Sequence, residues 1–282
     1  MPRRAAVLGH PVGHSLSPVL HTAAYDALGL DWTYDAVDVD SGGLGAFLAQ
    51  VDAQWAGLSL TMPLKVEAVS LVDFVEPMAK LLGVVNTVIV GGSGTNTQLV
   101  GANTDVYGVV TALAEAGVAK ATTAVVIGGG ATAVSAVAAL GQLGCTRPRV
   151  AVRSRARAGA VLRASTAMGL SPTFIALDDP QAMRLALHDA DAVVSTIPAA
   201  AGAELATGIG EFEVPALSTL LDVVYDPLVT PLAQAWTGWG GSRVGGERML
   251  LHQAAEQVRL MTGSEAPVTA MDAALQNVLP SS

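Results

Sequence analysis

The apolar positions of this chain fall into short blocks that switch between a strand period and a helix period. Ala5-Ala6-Val7-Leu8 is a compact run of strand length, and residues 17–28 space their apolar side chains as a helix, with Pro18 suited to its first turn. Residues 32–39 alternate as a strand does, 44–51 read as a helix, and 55–61 as a buried strand. A further strand over 84–90 is expected to stop at the turn-rich Gly91-Gly92-Ser93-Gly94. A second series starts near Thr122, with strands at 123–127, 149–152, 173–177, 192–196 and 219–224. Helices are expected between them, reaching Leu143 and covering 155–168 and 180–188, with a loose Ala/Gly segment before the last strand. From Gly246 the tail reads as two helices. Strands alternating with helices at these intervals predict βαβ units and mostly parallel sheets, the second series having the order of a doubly wound nucleotide-binding sheet.

Composition narrows this reading. A chain of 282 residues suits one large α/β domain or two smaller ones, and 51% hydrophobic residues can fill a core, which excludes wholesale disorder. The net charge of −9 repels polyanions, so neither nucleic acid nor an anionic membrane is an expected partner, whereas a small anion can still bind locally. The single cysteine, Cys145, excludes an intrachain disulfide and a cysteine zinc cluster, and no metal site is expected; the pattern fits a reducing cytoplasm. No signal peptide is readable after Arg3 and Arg4, since the apolar run ends at Leu8. The uncharged stretch 121–146 is as long as a membrane span, but Gly128-Gly129-Gly130 interrupts it, so it reads as strand, turn and buried helix.

Those three glycines open the first chemical motif. Gly128-Gly129-Gly130-Ala131-Thr132-Ala133 follows a strand of β-branched residues and enters a helix, matching G-x-G-x-x-A in its proper frame. Such a turn lets the backbone approach a pyrophosphate, whose charge the helix amides then hold. An NAD site would place a carboxylate about 20 residues on. Here the next strand is followed instead by Arg153, Ser154, Arg155 and Arg157, whose guanidinium groups suit a 2′-phosphate and favour NADP. The alternative is a solvated helix start, a place where arginine is poorly matched to the helix dipole.

In the first half, Ser15 and Ser17 precede a helix at i and i+2, where both hydroxyls can face one anion; equally, Ser17 can simply cap the helix. Lys65, in Thr61-Met62-Pro63-Leu64-Lys65, leaves the end of a buried strand, either toward a ligand or as an ordinary surface charge. Asn103-Thr104-Asp105 sits before a helix and reads as a cap or as part of a site.

Taken together these segments resemble the shikimate dehydrogenase family, nearly end to end. The family's G-x-P-x-x-H-S-x-S-P matches Gly9 to Pro18, and its x-x-T-x-P-x-K matches Thr61, Pro63 and Lys65. G-x-x-N-T matches Gly83, Asn86 and Thr87, and G-x-N-T-D-x-x-G runs from Gly101 to Gly108. D-x-x-Y-x-P-x-x-T-P-L runs from Asp222 to Leu232, and G-x-x-M-L-x-x-Q-A matches Gly246, Met249, Leu250, Gln253 and Ala254.

The resemblance implies an α/β protein with an N-terminal α/β substrate domain, built on a mostly parallel sheet, and a doubly wound Rossmann-type NADP domain. The first would cover 1–106 and be completed by C-terminal helices at 247–282; the second would cover 107–246. It implies reversible reduction of 3-dehydroshikimate to shikimate with NADPH, on the route to aromatic amino acids, in a cytoplasmic monomer or homodimer. By the same resemblance, Ser15 and Ser17 hold the substrate carboxylate with Tyr225 nearby, and Thr61, Asn86, Asp105 and Gln253 contact its ring hydroxyls. Lys65 and Asp105 form the catalytic pair, and Gly128, Gly129, Gly130, Ala131, Arg153, Ser154 and Arg157 hold the cofactor. A quinate/shikimate dehydrogenase of broader preference and a non-catalytic nucleotide-binding relative are the alternatives. Three departures stand out. Ser59 replaces the usual Asn, implying a shortened or water-mediated substrate bond; Val152 replaces the Asn of N-R-T; and Thr196-Ile197-Pro198-Ala199-Ala200 lacks the usual Gly-Met.

Overall fold

A computed structural model describes residues 2–93 and 96–280. The chain forms two compact units: residues up to 104 with those from 250 onward, and Asp105–Met249.

The first unit contains β1 (Arg3–Gly9), α1 (Ser17–Ala27), β2 (Trp32–Asp38), α2 (Leu44–Leu48) and β3 (Trp55–Leu60). A 3₁₀ turn at Glu67–Ser70 leads to β4 (Phe74–Val75), α3 (Pro77–Leu82), β5 (Thr87–Ser93) and β6 (Asn96–Ala102). The sheet order is β2-β1-β3-β5-β6-β4. β1 is parallel to β2 and β3, and β4 to β6, while β5 runs antiparallel to β3 and β6. The sheet is therefore mostly parallel, as expected, with one antiparallel strand in its middle. The turn expected at Gly91-Gly92-Ser93-Gly94 begins later. β5 continues through Gly91 and Gly92 to Ser93, with Gly91 opposite Gln98 and Gly92 opposite Thr97 in β6; Gly94 lies outside the described residues.

The second unit contains α4 (Asp105–Glu115), β7 (Ala124–Ile127), α5 (Ala131–Gln142), β8 (Arg149–Val152), a 3₁₀ turn at Arg155–Ala158 and α6 (Gly159–Ala167). It continues with β9 (Thr173–Ala176), α7 (Pro180–His188), β10 (Ala192–Ser195), α8 (Ala199–Ile209), β11 (Thr219–Asp222), α9 (Pro231–Gly238) and β12 (Ser242–Gly245). All strand pairs are parallel and the order is β12-β11-β10-β7-β8-β9, a doubly wound sheet whose winding reverses between β7 and β10. The segment read as loose Ala/Gly is α8: its small residues pack, with Gly202 buried and Leu205 and Ile209 entering the core. The helix expected over 155–168 is divided into a 3₁₀ turn and α6. α10 (Gly246–Thr262) and α11 (Val268–Val278) close the chain, and no helix among the described residues is long and apolar enough to cross a membrane.

Both faces of the first sheet are covered, which explains why its strands read as near-continuous apolar runs. Ala5 and Val7 of β1 face a core made with Leu20 and Ala24 of α1, Leu251, Ala254 and Val258 of α10, and Met271 and Leu275 of α11. Ala6 and Leu8 face the other way, into a core with Leu44, Leu58 and Val88.

One polar side chain lies deep on the α1 side. His21 is fully buried and stacks on Tyr34, ring centroids 4.0 Å apart at 15°. Its Nε2 lies 3.2 Å from the Gln257 Oε1 and its Nδ1 3.2 Å from the Tyr25 hydroxyl. A carbonyl oxygen only accepts, so Nε2 carries the proton and Nδ1 accepts from Tyr25. Burial pushes His21 down to about 3, so it stays neutral in the native protein. An unfolded histidine binds its proton near 6.5, so between that value and about 3 the unfolded state holds one more proton; stability attributable to His21 is full above this window and is lost as pH falls through it. Replacing His21 by Gln should flatten the fall of thermal stability on acidification, by up to about 1.4 kcal/mol per pH unit at mid-window. Calorimetric melts of the two proteins from neutral to acid pH check this; equal slopes would mean that His21 titrates in the native state.

Candidate functional site

Main-chain bonds draw four sequence-distant segments of the first unit to the carboxyl ends of β1 and β3. Thr61 N–H donates to Leu8 O and His10 N–H to Met62 O, both at 2.9 Å, joining the Gly9 loop to the Thr61–Lys65 loop. Leu60 N–H donates to Asn86 O at 2.7 Å and Val85 N–H to Lys65 O at 2.8 Å, adding the segment before β5. Asn86 N–H donates to Ala102 O at 3.1 Å, and Asn103 Nδ2 to Val84 O at 3.1 Å, adding the segment that leads to α4.

The side chains there divide by burial. Ser17 is the first residue of α1 and buried, and no side chain caps this helix from Leu16, so the capping role open to Ser17 is not the one it takes. Instead Ser17 N–H donates to the Ser15 hydroxyl at 3.3 Å, and the Ser17 side chain adjoins the Tyr34 hydroxyl. Thr61 and Lys65 are half-buried. Asn86 is 1% exposed, its Oδ1 accepting from Thr104 N–H at 2.7 Å and Thr87 Oγ1 at 2.8 Å. Its Nδ2 donates to Thr104 Oγ1 at 2.9 Å and to Gln253 Oε1 at 3.2 Å. Gln253 Nε2 in turn donates to Leu250 O at 3.1 Å. Asn86 and Gln253 thus belong to one buried polar array.

The array includes residues the sequence analysis assigned no role. Tyr34 donates to Ser59 Oγ at 2.5 Å, Ser59 Oγ to Gln257 Oε1 at 2.8 Å, and Gln257 Nε2 to Thr87 Oγ1 at 2.9 Å and Asn86 O at 3.3 Å. Burial pushes the Tyr34 hydroxyl pKa up, so it remains a donor. The Ser59 hydrogen is therefore directed to Gln257, inside the protein. Gln257 lies one helical turn beyond Gln253, a spacing that puts both on one face of α10 and was a readable signal. Thr87 was readable only as the motif position after Asn86, and Tyr34 had no such signal.

In the second unit Gly128 leaves β7 at φ +121°, a backbone suited to glycine, and a Cβ there would lie 2.2 Å from Thr196 Oγ1 at the end of β10. The glycine turn therefore occupies the point where the sheet's winding reverses. Gly129 is covered by Val152 and Gly130 is exposed, with no side-chain bond capping α5 at Gly130, so amides at this helix end suit an anion. Ala131 begins α5 and is half-buried. Arg153 is exposed and Ser154 half-buried just past β8; Arg155 lies over the Phe174 ring at 5.5 Å, and the Arg157 side chain lies outside the described residues. Arg153 also lines an open groove of about 570 Å³ with Leu177, Asp178, Pro180 and Glu204.

Tyr225 is half-buried on the loop after β11. That loop is anchored by Asp222, which accepts from Thr230 Oγ1 at 2.5 Å, while Thr230 also caps α9 through Ala233 N–H at 3.1 Å. Burial pushes the Asp222 carboxyl above the usual carboxylate range against the opposing Thr230 bond. Gly246 is equally constrained, since a Cβ would lie 2.3 Å from Val223 O. Asp105 is 3% exposed as the first residue of α4. Among the described residues, no group of three or more His, Cys, Asp or Glu is arranged to hold a metal ion.

Known proteins share this arrangement along almost the entire chain. Residues 7–88 match the shikimate dehydrogenase substrate binding domain, and residues 246–276 the shikimate 5′-dehydrogenase C-terminal domain. The shikimate dehydrogenase (NADP(+)) of Methanosarcina acetivorans is 37% identical over 276 residues, 96% of each chain. The crystal structure of Mycobacterium tuberculosis shikimate dehydrogenase superposes with a TM-score of 0.87 at 38% identity, covering 98% of this chain and 100% of that one. That of the Thermus thermophilus enzyme in complex with NADP(H) and shikimate gives 0.80 at 31%, covering 98% and 100%. With identity above a third sustained over nearly the full length, and with matching two-sheet architecture, the chain belongs to the shikimate dehydrogenase family.

Proposed function

We propose that the protein catalyses the reversible reduction of 3-dehydroshikimate to shikimate with NADPH, in the biosynthesis of aromatic amino acids. The observation that carries this reading is the meeting of the Gly9, Thr61–Lys65, Asn86 and Gly101–Thr104 segments at one end of the first sheet. Full-length similarity to NADP(+)-dependent shikimate dehydrogenases supports it.

The residues present fit the dinucleotide. The glycine turn admits close backbone approach, the start of α5 offers amides, and exposed Arg153 follows β8 where an NAD site would carry a carboxylate. When bound, NADPH supplies the hydride. Gly128, Gly129, Gly130 and Ala131 hold the pyrophosphate, while Arg153, Ser154 and Arg157 favour the 2′-phosphate.

Other residues bind and orient the substrate. Ser15 and Ser17, with Tyr225, receive its carboxylate, and Thr61, Asn86, Asp105 and Gln253 its ring hydroxyls. Oxidising a secondary alcohol needs a proton to leave oxygen as hydride leaves carbon, and the reverse reaction needs its return. Lys65 holds or moves that proton and steadies the developing alkoxide, and Asp105 orients the ammonium. We extend the proposal to a cytoplasmic enzyme, monomeric or homodimeric, with no nucleic acid or membrane partner; the buried, unbridged Cys145 and the net charge of −9 support this.

The direct test is NADPH formation from shikimate and NADP, followed by absorbance. Quinate turnover of equal efficiency would instead indicate the broader quinate/shikimate activity, and NADPH binding without turnover would defeat the enzymatic reading. Replacing Lys65 by Ala should lower kcat by about 10²-fold with little change in KM, as for loss of a transition-state interaction; steady-state kinetics with the opposite pattern would make Lys65 a binding residue. Replacing Arg153 by Ala should weaken NADPH more than NADH in fluorescence titrations, and equal weakening would remove the 2′-phosphate assignment.

A further inference from the structure

The buried array in the first unit has a direction, set by main-chain groups whose hydrogen-bonding sense cannot reverse. Asn86 O and Leu250 O only accept, so the atoms of Gln257 and Gln253 that face them are amide nitrogens. Thr104 N–H only donates, so Asn86 turns its oxygen there. With these three amides oriented, the bonds that link them run one way. Tyr34 donates to Ser59, Ser59 to Gln257, Gln257 to Thr87, Thr87 to Asn86, and Asn86 to Gln253. His21 donates to the same Gln257 oxygen from the α1 side.

Gln257 stands in the middle of this chain of bonds, accepting from Ser59 through its oxygen and donating to Thr87 through its nitrogen, so both halves meet at its amide. Ser59 is its complement. The family pattern that the chain resembles has Asn at that position, and a second amide there would compete for the space the Gln257 amide holds, 2.8 Å from the Ser59 hydroxyl.

We propose that Gln257 is a positioning residue for substrate binding, which with Ser59 ties Tyr34, beside Ser17, to the amides of Asn86 and Gln253 and holds both ends in register. The inference rests on the substrate roles proposed above for Ser17, Asn86 and Gln253. Gln257 need not touch substrate to act: without its amide, Thr87 loses the donor that directs its own hydrogen to Asn86, and the Asn86 main chain loses the bond that Gln257 Nε2 gives its carbonyl.

The test compares wild type with Gln257→Leu, which keeps the side-chain volume, with Ser59→Ala, which removes one oxygen, and with the double variant. Gln257→Leu should raise KM for shikimate by about 10-fold or more, since small displacements of positioning groups cost up to about 10²-fold, while the NADPH dissociation constant stays unchanged. The two substitutions should be non-additive, the double variant falling no further than the worse single one. Circular dichroism and melting establish that each variant is folded; should Gln257→Leu fail to fold, Ser59→Ala carries the same comparison. An unchanged shikimate KM, additive losses, or parallel loss of shikimate and NADPH binding would each overturn the proposal. A wild-type protein that binds NADPH but does not oxidise shikimate would defeat the functional reading itself, whereas an active wild type with unaffected variants would defeat this inference alone.

Discussion

A polar group removed from water must find partners, and an unmet donor or acceptor costs about 1–3 kcal/mol. The first unit encloses Ser17, His21, Ser59, Asn86, Thr87, Thr104, Gln253 and Gln257, so this constraint governs how its elements fit. No one of these residues can be satisfied locally. Asn86 depends on Thr104 and Gln253, Gln257 on Ser59 and Thr87, and His21 on Gln257. α1, β2, β3, β5 and α10 are thus held in one register by bonds that are geometrically strict where apolar contacts alone would tolerate slippage. The same array holds Asn86 and Gln253, and its Tyr34 adjoins Ser17, so what specifies this core also specifies the disposition of the proposed substrate ligands.

The second unit meets a different requirement, that of close backbone approach. Its parallel sheet brings loop ends together where the winding reverses, and only small residues fit there: Gly128 against Thr196, and Gly246 against Val223. The loop bearing Tyr225 has little regular structure of its own and is held by the Asp222–Thr230 bond, which doubles as the start of α9. The D-x-x-Y-x-P-x-x-T-P-L motif is in this respect a brace, with its first and ninth positions joined around the tyrosine.

Legibility in the sequence followed locality. β1, β3, β7, β10 and β11 announced themselves because burial on both sides leaves uninterrupted apolar runs. α8 was hidden because alanine and glycine carry little periodic contrast, and its packing is decided by Leu205 and Ile209 alone. β5 extends through two glycines since pairing with β6 outweighs their conformational freedom, an interaction local pattern does not encode. The motif residues were readable, but the environment of Ser59 was not: its partners Tyr34 and Gln257 stand 25 and 198 positions away. A shorter side chain at that site suggests a gap, whereas coordinates reveal an occupied one.

The apolar face of β1 toward α1 is completed by Leu251, Ala254, Val258, Met271 and Leu275, all from α10 and α11. During translation these helices leave the ribosome only after the whole Asp105–Met249 unit has emerged. The sheet made before that unit therefore waits with one apolar side uncovered while the later-made unit can already close around its own core. Vectorial synthesis thus inverts the expected order: the N-terminal unit is finished second, and a ribosome stalled before Leu250 would release a chain with an adhesive surface for chaperones to shield.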